Sequence, residues 1–259
     1  MGSGIACVLS QCGIEVLLKD VEQQAVHRGL GNIKRMYDSR VKKGVNTQEE
    51  ADKLLALVKG TTSYDDFKNV DLVIEAAFEE ISVKLDIFKT LDEICPKKAI
   101  LATNTSALSV SEIAAATSRP EKVLGMHFFN PAQFMKLVEV IPGVHTSEET
   151  VKTAMDLCQE MGKTPVKVEE CPGFLVNRVL FTYMNEALYM LQEGTASIEE
   201  IDAKAVEFGL PMGPFALFDM TGIDRALVCN QTAGSVTVTA TGSNIIEIRA
   251  ALGGATLSG

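Results

Sequence analysis

The stretch DLVIEA, residues 71–76, is an apolar run of strand length, and a helical pattern follows it over 81–94. Two further apolar runs, AILAT at 99–103 and VLGMH at 123–127, each follow a helical segment. Apolar strands without polar alternation, separated by helices, are typical of a parallel sheet that is covered on both faces. We therefore predict an α/β fold in which residues 71–76 form a buried strand.

The same alternation continues on both sides of this stretch. Further strands are predicted at 14–19, 136–141 and 164–168. Further helices are predicted at 2–11, 21–43, 146–161, 173–191 and 197–208. Capping boxes mark helix starts at Thr47/Glu50, Ser109/Glu112, Thr146/Glu149 and Ser197/Glu200.

The pattern of strands stops at Pro172, where only helical segments continue. We predict a parallel-sheet domain at 1–170 and the start of an all-helical domain at 171–225. Residues 226–259 are rich in Ala, Gly, Ser and Thr and hold only two charged side chains, Glu247 and Arg249. This composition is typical of a low-complexity tail that does not belong to the fold.

Composition excludes several classes of protein. The net charge of −10 argues against a nucleic-acid partner, and no apolar run is long enough to span a membrane. Six cysteines are scattered without metal-ligand spacing, so we expect free thiols, no metal site and a reducing compartment. The cytoplasm, or an organelle matrix in a eukaryote, fits this expectation.

The chain starts with MGSGIA, which leads into the first predicted helix. In a dinucleotide fingerprint the third glycine opens a helix, and an acidic residue follows about 20 positions later. Gly2 fits that glycine, and Asp20 follows it by eighteen residues. A carboxylate there binds a ribose 2′-hydroxyl and repels a 2′-phosphate, which favours NAD over NADP. A strand-end or helix-capping aspartate is an equally good interpretation of Asp20.

Polar residues follow the strand at 99–103 in the segment NTSALSV, residues 104–110. Ligands bind at the carboxyl ends of strands in such sheets, so Asn104 and Ser106 are candidate binding residues. Ser109 needs no function beyond capping a helix. Asn177, between apolar neighbours in CPGFLVNRVL at 171–180, needs a partner or a ligand, whereas Arg178 is interpreted as structural.

His127 lies in GMHFFNPAQFMKLVEV, residues 125–140, and Glu139 follows it by twelve positions. A carboxylate bonded to one imidazole nitrogen fixes the tautomer and makes the other nitrogen more basic. The pair is therefore a candidate general base with its orienting acid, suited to removing a proton from an alcohol during hydride transfer. The alternative is a core histidine whose nitrogens are satisfied by the backbone.

The segments MGSGIA, NTSALSV, GMHFFNPAQFMKLVEV, CPGFLVNRVL and LPMGPFALFD, in this order, resemble the L-3-hydroxyacyl-CoA dehydrogenase family over residues 1–225. The likeness is strongest to its short-chain 3-hydroxybutyryl-CoA branch and to the matching domain of multifunctional fatty-acid oxidation proteins. The resemblance implies a Rossmann-like domain, NAD as cofactor and an acyl-CoA substrate that is oxidised at its 3-hydroxyl in fatty-acid or butanoate metabolism.

The resemblance also implies individual roles. His127 is similar to the catalytic base and Glu139 to its orienting carboxylate, and Ser106 and Asn177 are similar to residues that contact the substrate. The cofactor-binding candidates are Gly2, Asp20, Glu79, Lys84, Asn104 and Asn130. Lys42 is a candidate for the CoA phosphates, with a solvated helix face as the favoured alternative.

The chain also departs from this pattern. The family's first strand and GxG loop do not precede Gly2, and its helical domain continues where the tail begins, so we expect a fragment. A homodimer is expected of the complete protein. The alternative functions are a catalytically inactive family member with a structural or binding role, and a dehydrogenase of a sugar acid such as L-gulonate.

Overall fold

The structure is a computed structural model that describes residues 1–221, 236–241 and 245–250. The chain divides into two compact units, Met1–Phe174 and Leu175–Gly259. The first unit carries the sheets of an α/β fold, and the helices of the second unit run from Val176 to Thr221.

Helices and strands alternate through the first unit. Its helices are α1 (Gly2–Gln11), α2 (Gln23–Lys42), α3 (Gln48–Ala56), α4 (Ile81–Ile94), α5 (Val110–Ala115) and α6 (Glu148–Glu160). Its strands are β1 (Val16–Lys19), β2 (Val58–Thr61), β3 (Leu72–Glu75), β4 (Ile100–Thr103), β5 (Val123–Phe128), β6 (Leu137–Pro142) and β7 (Thr164–Lys167). Short 3₁₀ turns cover Asp65–Asn69 and Pro120–Lys122.

The strands form two sheets in this unit. β1 pairs in parallel with β2, and the other five strands follow the order β3-β4-β5-β6-β7. β3, β4 and β5 run parallel, which confirms the predicted α/β class. β6, however, runs antiparallel to β5, a step that the sequence pattern did not predict. Only residues 129–136 join these two strands, and so short a connection cannot cross over to make a parallel pair.

Burial differs between the strands. Every residue of β4 and β5 is buried, as expected for central strands. The prediction that residues 71–76 form a buried strand is only partly right, because Leu72, Val73 and Ile74 are half-buried and Glu75 alone is buried. Among the described strands, β3 has a hydrogen-bonded neighbour on one edge only, which leaves its side chains less covered.

Of the four predicted capping boxes, two form completely, one forms in part and one is corrected. Thr47/Glu50 and Ser197/Glu200 form reciprocal capping boxes, and Ser109 accepts from Glu112 N. The N-cap of α6 is Ser147, and Thr146 is not the cap. The Thr146 hydroxyl donates instead to the carbonyl of Val123, because the chain is still leaving the sheet at that point.

The second unit contains α7 (Val176–Gln192), α8 (Ile198–Phe208) and α9 (Pro214–Thr221). Its buried apolar residues are Met184, Ala187, Ile201, Phe215 and Phe218. α8 ends at Gly209, whose φ of +115° suits a residue without a side chain. No helix in the described part of the chain has the length and apolar character needed to cross a membrane.

The predicted tail at 226–259 falls largely outside the described residues. Within it, the backbone forms two strands, β8 (Val236–Thr241) and β9 (Ile245–Ala250), which pair antiparallel.

Candidate active site

His127 and Glu139 lie directly opposite each other on the antiparallel strands β5 and β6. Their twelve-residue separation in sequence becomes a cross-strand contact, in which His127 Nδ1 is 2.7 Å from Glu139 Oε2. Glu139 is fully buried and His127 is 6% exposed. The reversal of β6 therefore creates the pair, because cross-strand neighbours on one face are within side-chain reach.

This hydrogen bond favours one imidazole tautomer. Opposite an ionised carboxylate, which can only accept, Nδ1 is the ring nitrogen that carries the hydrogen. Nε2 then holds the lone pair and is the nitrogen able to accept a proton. The alternative in which backbone groups satisfy both ring nitrogens is wrong for Nδ1, which bonds a carboxylate.

Two aromatic rings lie beside the imidazole. The ring centroid of Phe129 is 4.5 Å from that of His127, and the centroid of Phe174 is 5.9 Å away. Phe174 is buried and has a φ of +51°, a left-handed conformation that is uncommon for a bulky residue. The apolar rings limit the freedom of the imidazole and reduce the access of water to it.

Asn104 connects the end of β4 to the histidine strand. Its side-chain oxygen accepts a hydrogen bond of 2.9 Å from Phe128 N, the residue that follows His127. The backbone N–H of Asn104 donates to the carbonyl of Glu75 over 2.7 Å. Asn104 thus ties the ends of β3, β4 and β5 together, and the cofactor contact predicted for it stays a prediction.

Glu79 holds the segment that contains Ser106. One carboxylate oxygen, Oε1, accepts from Thr105 Oγ1 and Ser106 N, each at 2.6 Å, and from Ser106 Oγ at 3.0 Å and Ala107 N at 3.2 Å. Burial raises the pKa of Glu79, but hydrogen bonds from Thr105 and Ser106 and the charge of Lys84 outweigh that effect and lower it. Glu79 is therefore an ionised acceptor that orders the loop.

Lys84 lies in the interior, paired with a residue that the sequence pattern did not single out. Its ammonium is 2.8 Å from Glu75 Oε1, and its side chain is 1% exposed. The sequence does contain an indication of the role of Glu75, because a carboxylate at the end of an apolar strand needs a buried partner. A contact between Lys84 and a cofactor stays a prediction.

Glu170 is a second acidic residue that the sequence pattern did not single out. Its carboxylate accepts from Ser109 Oγ at 2.7 Å, from Ser111 N at 3.0 Å and from Ser111 Oγ. Burial raises the pKa of Glu170, but the hydrogen bonds from Ser111 and Ser109 outweigh it and lower that pKa. Through these hydrogen bonds, Glu170 holds the segment before Phe174 against the start of α5.

The start of α1 and the end of β1 fit a dinucleotide. α1 has Met1 at its N-cap, no side chain that caps it and no acidic residue in its first turn, so its first N–H groups suit a phosphate. Gly2 is the first residue of this helix. Asp20 is exposed and accepts from Val21 N at 2.7 Å, so its carboxylate is accessible to ribose hydroxyls.

The structure places the remaining candidates on a loop and on two helices. Asn130 is exposed in the loop after β5, and Lys42 is exposed at the last residue of α2. Asn177 lies in the first turn of α7, in the second unit, so its contact with a substrate stays a prediction. Among the residues that the structure describes, no three His, Cys, Asp or Glu side chains are grouped to hold a metal ion.

Residues 1–171 match the family model described as 3-hydroxyacyl-CoA dehydrogenase, NAD binding domain. Residues 173–247 match the model of the C-terminal domain of the same enzymes. This chain belongs to the 3-hydroxyacyl-CoA dehydrogenase family. It is an oxidoreductase whose first domain binds NAD, and the match continues beyond the 1–225 that the motifs cover.

Relatives and solved structures agree with this assignment. A 3-hydroxybutyryl-CoA dehydrogenase of Clostridioides difficile is 47% identical over 229 residues, which are 88% of this chain and 81% of that protein. A probable 3-hydroxybutyryl-CoA dehydrogenase of Bacillus subtilis is 45% identical over 88% of this chain and 79% of its own length. The crystal structure of (S)-3-hydroxybutyryl-CoA dehydrogenase from Ralstonia eutropha superimposes with a TM-score of 0.85 at 43% identity, covering 88% of this chain and 81% of that one.

Proposed function

We propose that this chain oxidises L-3-hydroxyacyl-CoA, with 3-hydroxybutyryl-CoA as the preferred substrate, to 3-oxoacyl-CoA and that His127 is the general base. The observation that carries the proposal is the 2.7 Å hydrogen bond between His127 Nδ1 and the buried Glu139. The substrate class is supported by the relatives of Clostridioides difficile and Bacillus subtilis, whose names specify 3-hydroxybutyryl-CoA.

In the proposed reaction, Nε2 of His127 accepts the proton of the substrate's 3-hydroxyl group. The O–H electron pair then forms the C3–O double bond, and the hydrogen on C3 leaves with the electrons of its bond as a hydride. NAD, when bound, supplies the acceptor for that hydride. Atoms and charge balance, because the alcohol loses one proton to the imidazole and one hydride to the nicotinamide.

Glu139 stabilises the imidazolium that this step creates. A carboxylate beside Nδ1 compensates the new positive charge and keeps the ring in the orientation that points Nε2 outward from the pair. Its complete burial strengthens the interaction, because water does not screen it. The reverse reaction uses the same group as the acid that returns the proton.

The other residues bind and orient in this proposal. Ser106 and Asn177 hydrogen-bond the reacting oxygen. Lys42 is the candidate for the CoA phosphates, with a solvated helix face as its favoured alternative. Gly2 at the start of α1 faces the cofactor's phosphates and Asp20 its ribose. Glu79, Lys84, Asn104 and Asn130 complete the cofactor site. We further propose a homodimer as the working form and the cytoplasm or an organelle matrix as its location, within fatty-acid or butanoate metabolism.

The test is the rate of NADH formation from L-3-hydroxybutyryl-CoA and NAD. His127→Gln should lower kcat by about 10² or more, because a positioned base contributes about 10²–10⁴. His27→Gln is the matched control, since His27 is exposed on α2 and should leave the rate unchanged. Near-normal turnover by His127→Gln would reject the assignment of the base.

The same assay separates the alternatives. A wild-type chain that binds NAD but forms no NADH from any 3-hydroxyacyl-CoA would support an inactive family member. NADH formation from L-gulonate and none from the CoA ester would support a sugar-acid dehydrogenase.

A further inference from the structure

A buried ion pair lies at the carboxyl end of β3. Lys84 Nζ is 2.8 Å from Glu75 Oε1 and 2.9 Å from Glu75 Oε2. The side chains of Lys84 and Glu75 are 1% and 3% exposed. Water therefore contributes little to their solvation, and protein groups must satisfy both charges.

Stability alone gives no reason for such a pair. Desolvation of two buried charges cancels most of their mutual attraction, and replacing both by apolar side chains is often neutral or stabilising. Removing one partner is costly only because it leaves the other charge unpaired. The role of the pair is therefore better sought in the groups that it orders.

Glu75 joins two loops. We define the β3 loop as residues 76–80 and the β4 loop as residues 104–109. Glu75 Oε1 accepts from Ala77 N at 2.6 Å in the β3 loop, and Oε2 accepts from Thr103 Oγ1 at 2.7 Å where the β4 loop begins. The Thr103 hydroxyl in turn accepts from Thr105 N at 3.3 Å. One carboxylate thus sets the starting points of both loops.

Lys84 provides a second connection between the same loops. Its Nζ is 3.5 Å from Glu79 Oε2, so the cation lies between the carboxylates of Glu75 and Glu79. The other oxygen of Glu79 holds Thr105, Ser106 and Ala107. The chain of contacts therefore runs from Glu75 through Lys84 and Glu79 to Ser106.

We propose that Glu75 is a positioning residue, which acts through Lys84 and Glu79 to keep the β3 loop and the β4 loop in register for the reaction. The inference rests on the proposed function, in which Ser106 and Glu79 contact substrate and cofactor. Glu75 itself touches neither in this proposal, because its carboxylate is occupied by Lys84, Ala77 N and Thr103 Oγ1.

Four variants test this role. Glu75→Gln leaves the buried Lys84 cation with only the more distant carboxylate of Glu79, and Lys84→Met leaves the buried Glu75 carboxylate without its cation. The double variant Glu75→Gln/Lys84→Met removes both charges. The double variant should unfold at a higher temperature than either single variant, near that of the wild type. The control, Lys152→Met/Asp156→Asn, removes an exposed pair of 2.6 Å on α6.

The first readout is hydrogen exchange of the chain without cofactor or substrate. In the double variant, the amides of Ser106 and Ala107 should exchange about tenfold faster, because their acceptor Glu79 has lost its cationic partner. The amides of β5 should exchange as in the wild type, and the control should change neither region. Unchanged exchange at residues 105–107 in the double variant would overturn the proposal.

The second readout is kinetic. The double variant should lower kcat about tenfold with little change in KM for the acyl-CoA, since a displaced loop costs orientation more than binding. A double variant with full kcat, or one less stable than both single variants, would make the pair a stability element and also overturn the proposal. If the wild type forms no NADH, the proposed function fails, while the exchange measurement still decides the positioning role.

Discussion

Replacing Glu139 by glutamine tests the mechanism most directly. Glutamine has nearly the same shape, so the change removes the negative charge next to His127 and leaves the packing of β6 intact. Glu139 is fully buried and lies 2.7 Å from Nδ1. The lost interaction is therefore one that water does not replace.

The expected loss of rate follows from this geometry. A hydrogen bond to a charged group contributes about 1.5–3 kcal/mol, and each 1.36 kcal/mol of transition-state stabilisation is about tenfold in rate. Loss of the charge alone thus predicts a fall in kcat of about 10–10². The glutamine amide can also donate to Nδ1, which places the ring hydrogen on Nε2, the wrong nitrogen for a base. Together these effects predict a fall of about 10²–10⁴ in kcat for Glu139→Gln.

The assay is NADH formation at saturating NAD and substrate, measured well below the unfolding temperature of the variant. KM should change little, because Glu139 acts on the imidazole and not on the substrate. Glu148→Gln is the control, since Glu148 on α6 is 87% exposed and its pair with Lys167 is expected to contribute little. A Glu139→Gln enzyme that keeps a third of the wild-type kcat or more would refute the reasoning.

Two further predictions concern the cofactor and the pH dependence of stability. Asp20→Ala should weaken NAD binding by about 10-fold or more and NADP binding much less, because only a ribose hydroxyl donates to this carboxylate. Fluorescence titration with both nucleotides measures the two affinities. An unchanged preference for NAD over NADP would show that Asp20 does not contact the ribose. Burial raises the pKa of Asp92, but hydrogen bonds from Ser118 and Arg119 outweigh it and lower that pKa from 3.8 to about 2. A carboxyl group with a depressed folded-state pKa stabilises the protein fully above its unfolded pKa and loses that contribution as the pH falls toward the folded value. Asp92→Asn should therefore lower the free energy of unfolding by about 2 kcal/mol at neutral pH. It should also make the loss of stability between about pH 4 and pH 2 less steep, as measured by urea unfolding. An equally steep loss of stability in the variant would contradict the lowered pKa of Asp92.

The sequence by itself determined most of the order of the helices and strands, the capping boxes at Thr47 and Ser197, and the family. Its pattern did not predict β2 (Val58–Thr61) or α9 (Pro214–Thr221). Periodicity and capping are local, so a helix such as α4 is encoded by its own residues and needs no knowledge of its neighbours. The motif around His127 also contains both the candidate base and its acid. The two residues are close in sequence because only a short connection joins the neighbouring strands that carry them.

The tertiary structure decided which groups meet. The antiparallel register of β5 and β6 placed Glu139 opposite His127, and a shift of one residue would have turned one of the two side chains to the other face. The network of Glu75, Lys84 and Glu79 depends on contacts between β3, α4 and the β4 loop, which no local pattern specifies. A buried polar group must find a hydrogen-bond partner, and in these sites the partners come from elements that are distant in sequence. Local sequence patterns therefore predict the helices and strands, but only the tertiary structure shows which buried polar groups pair.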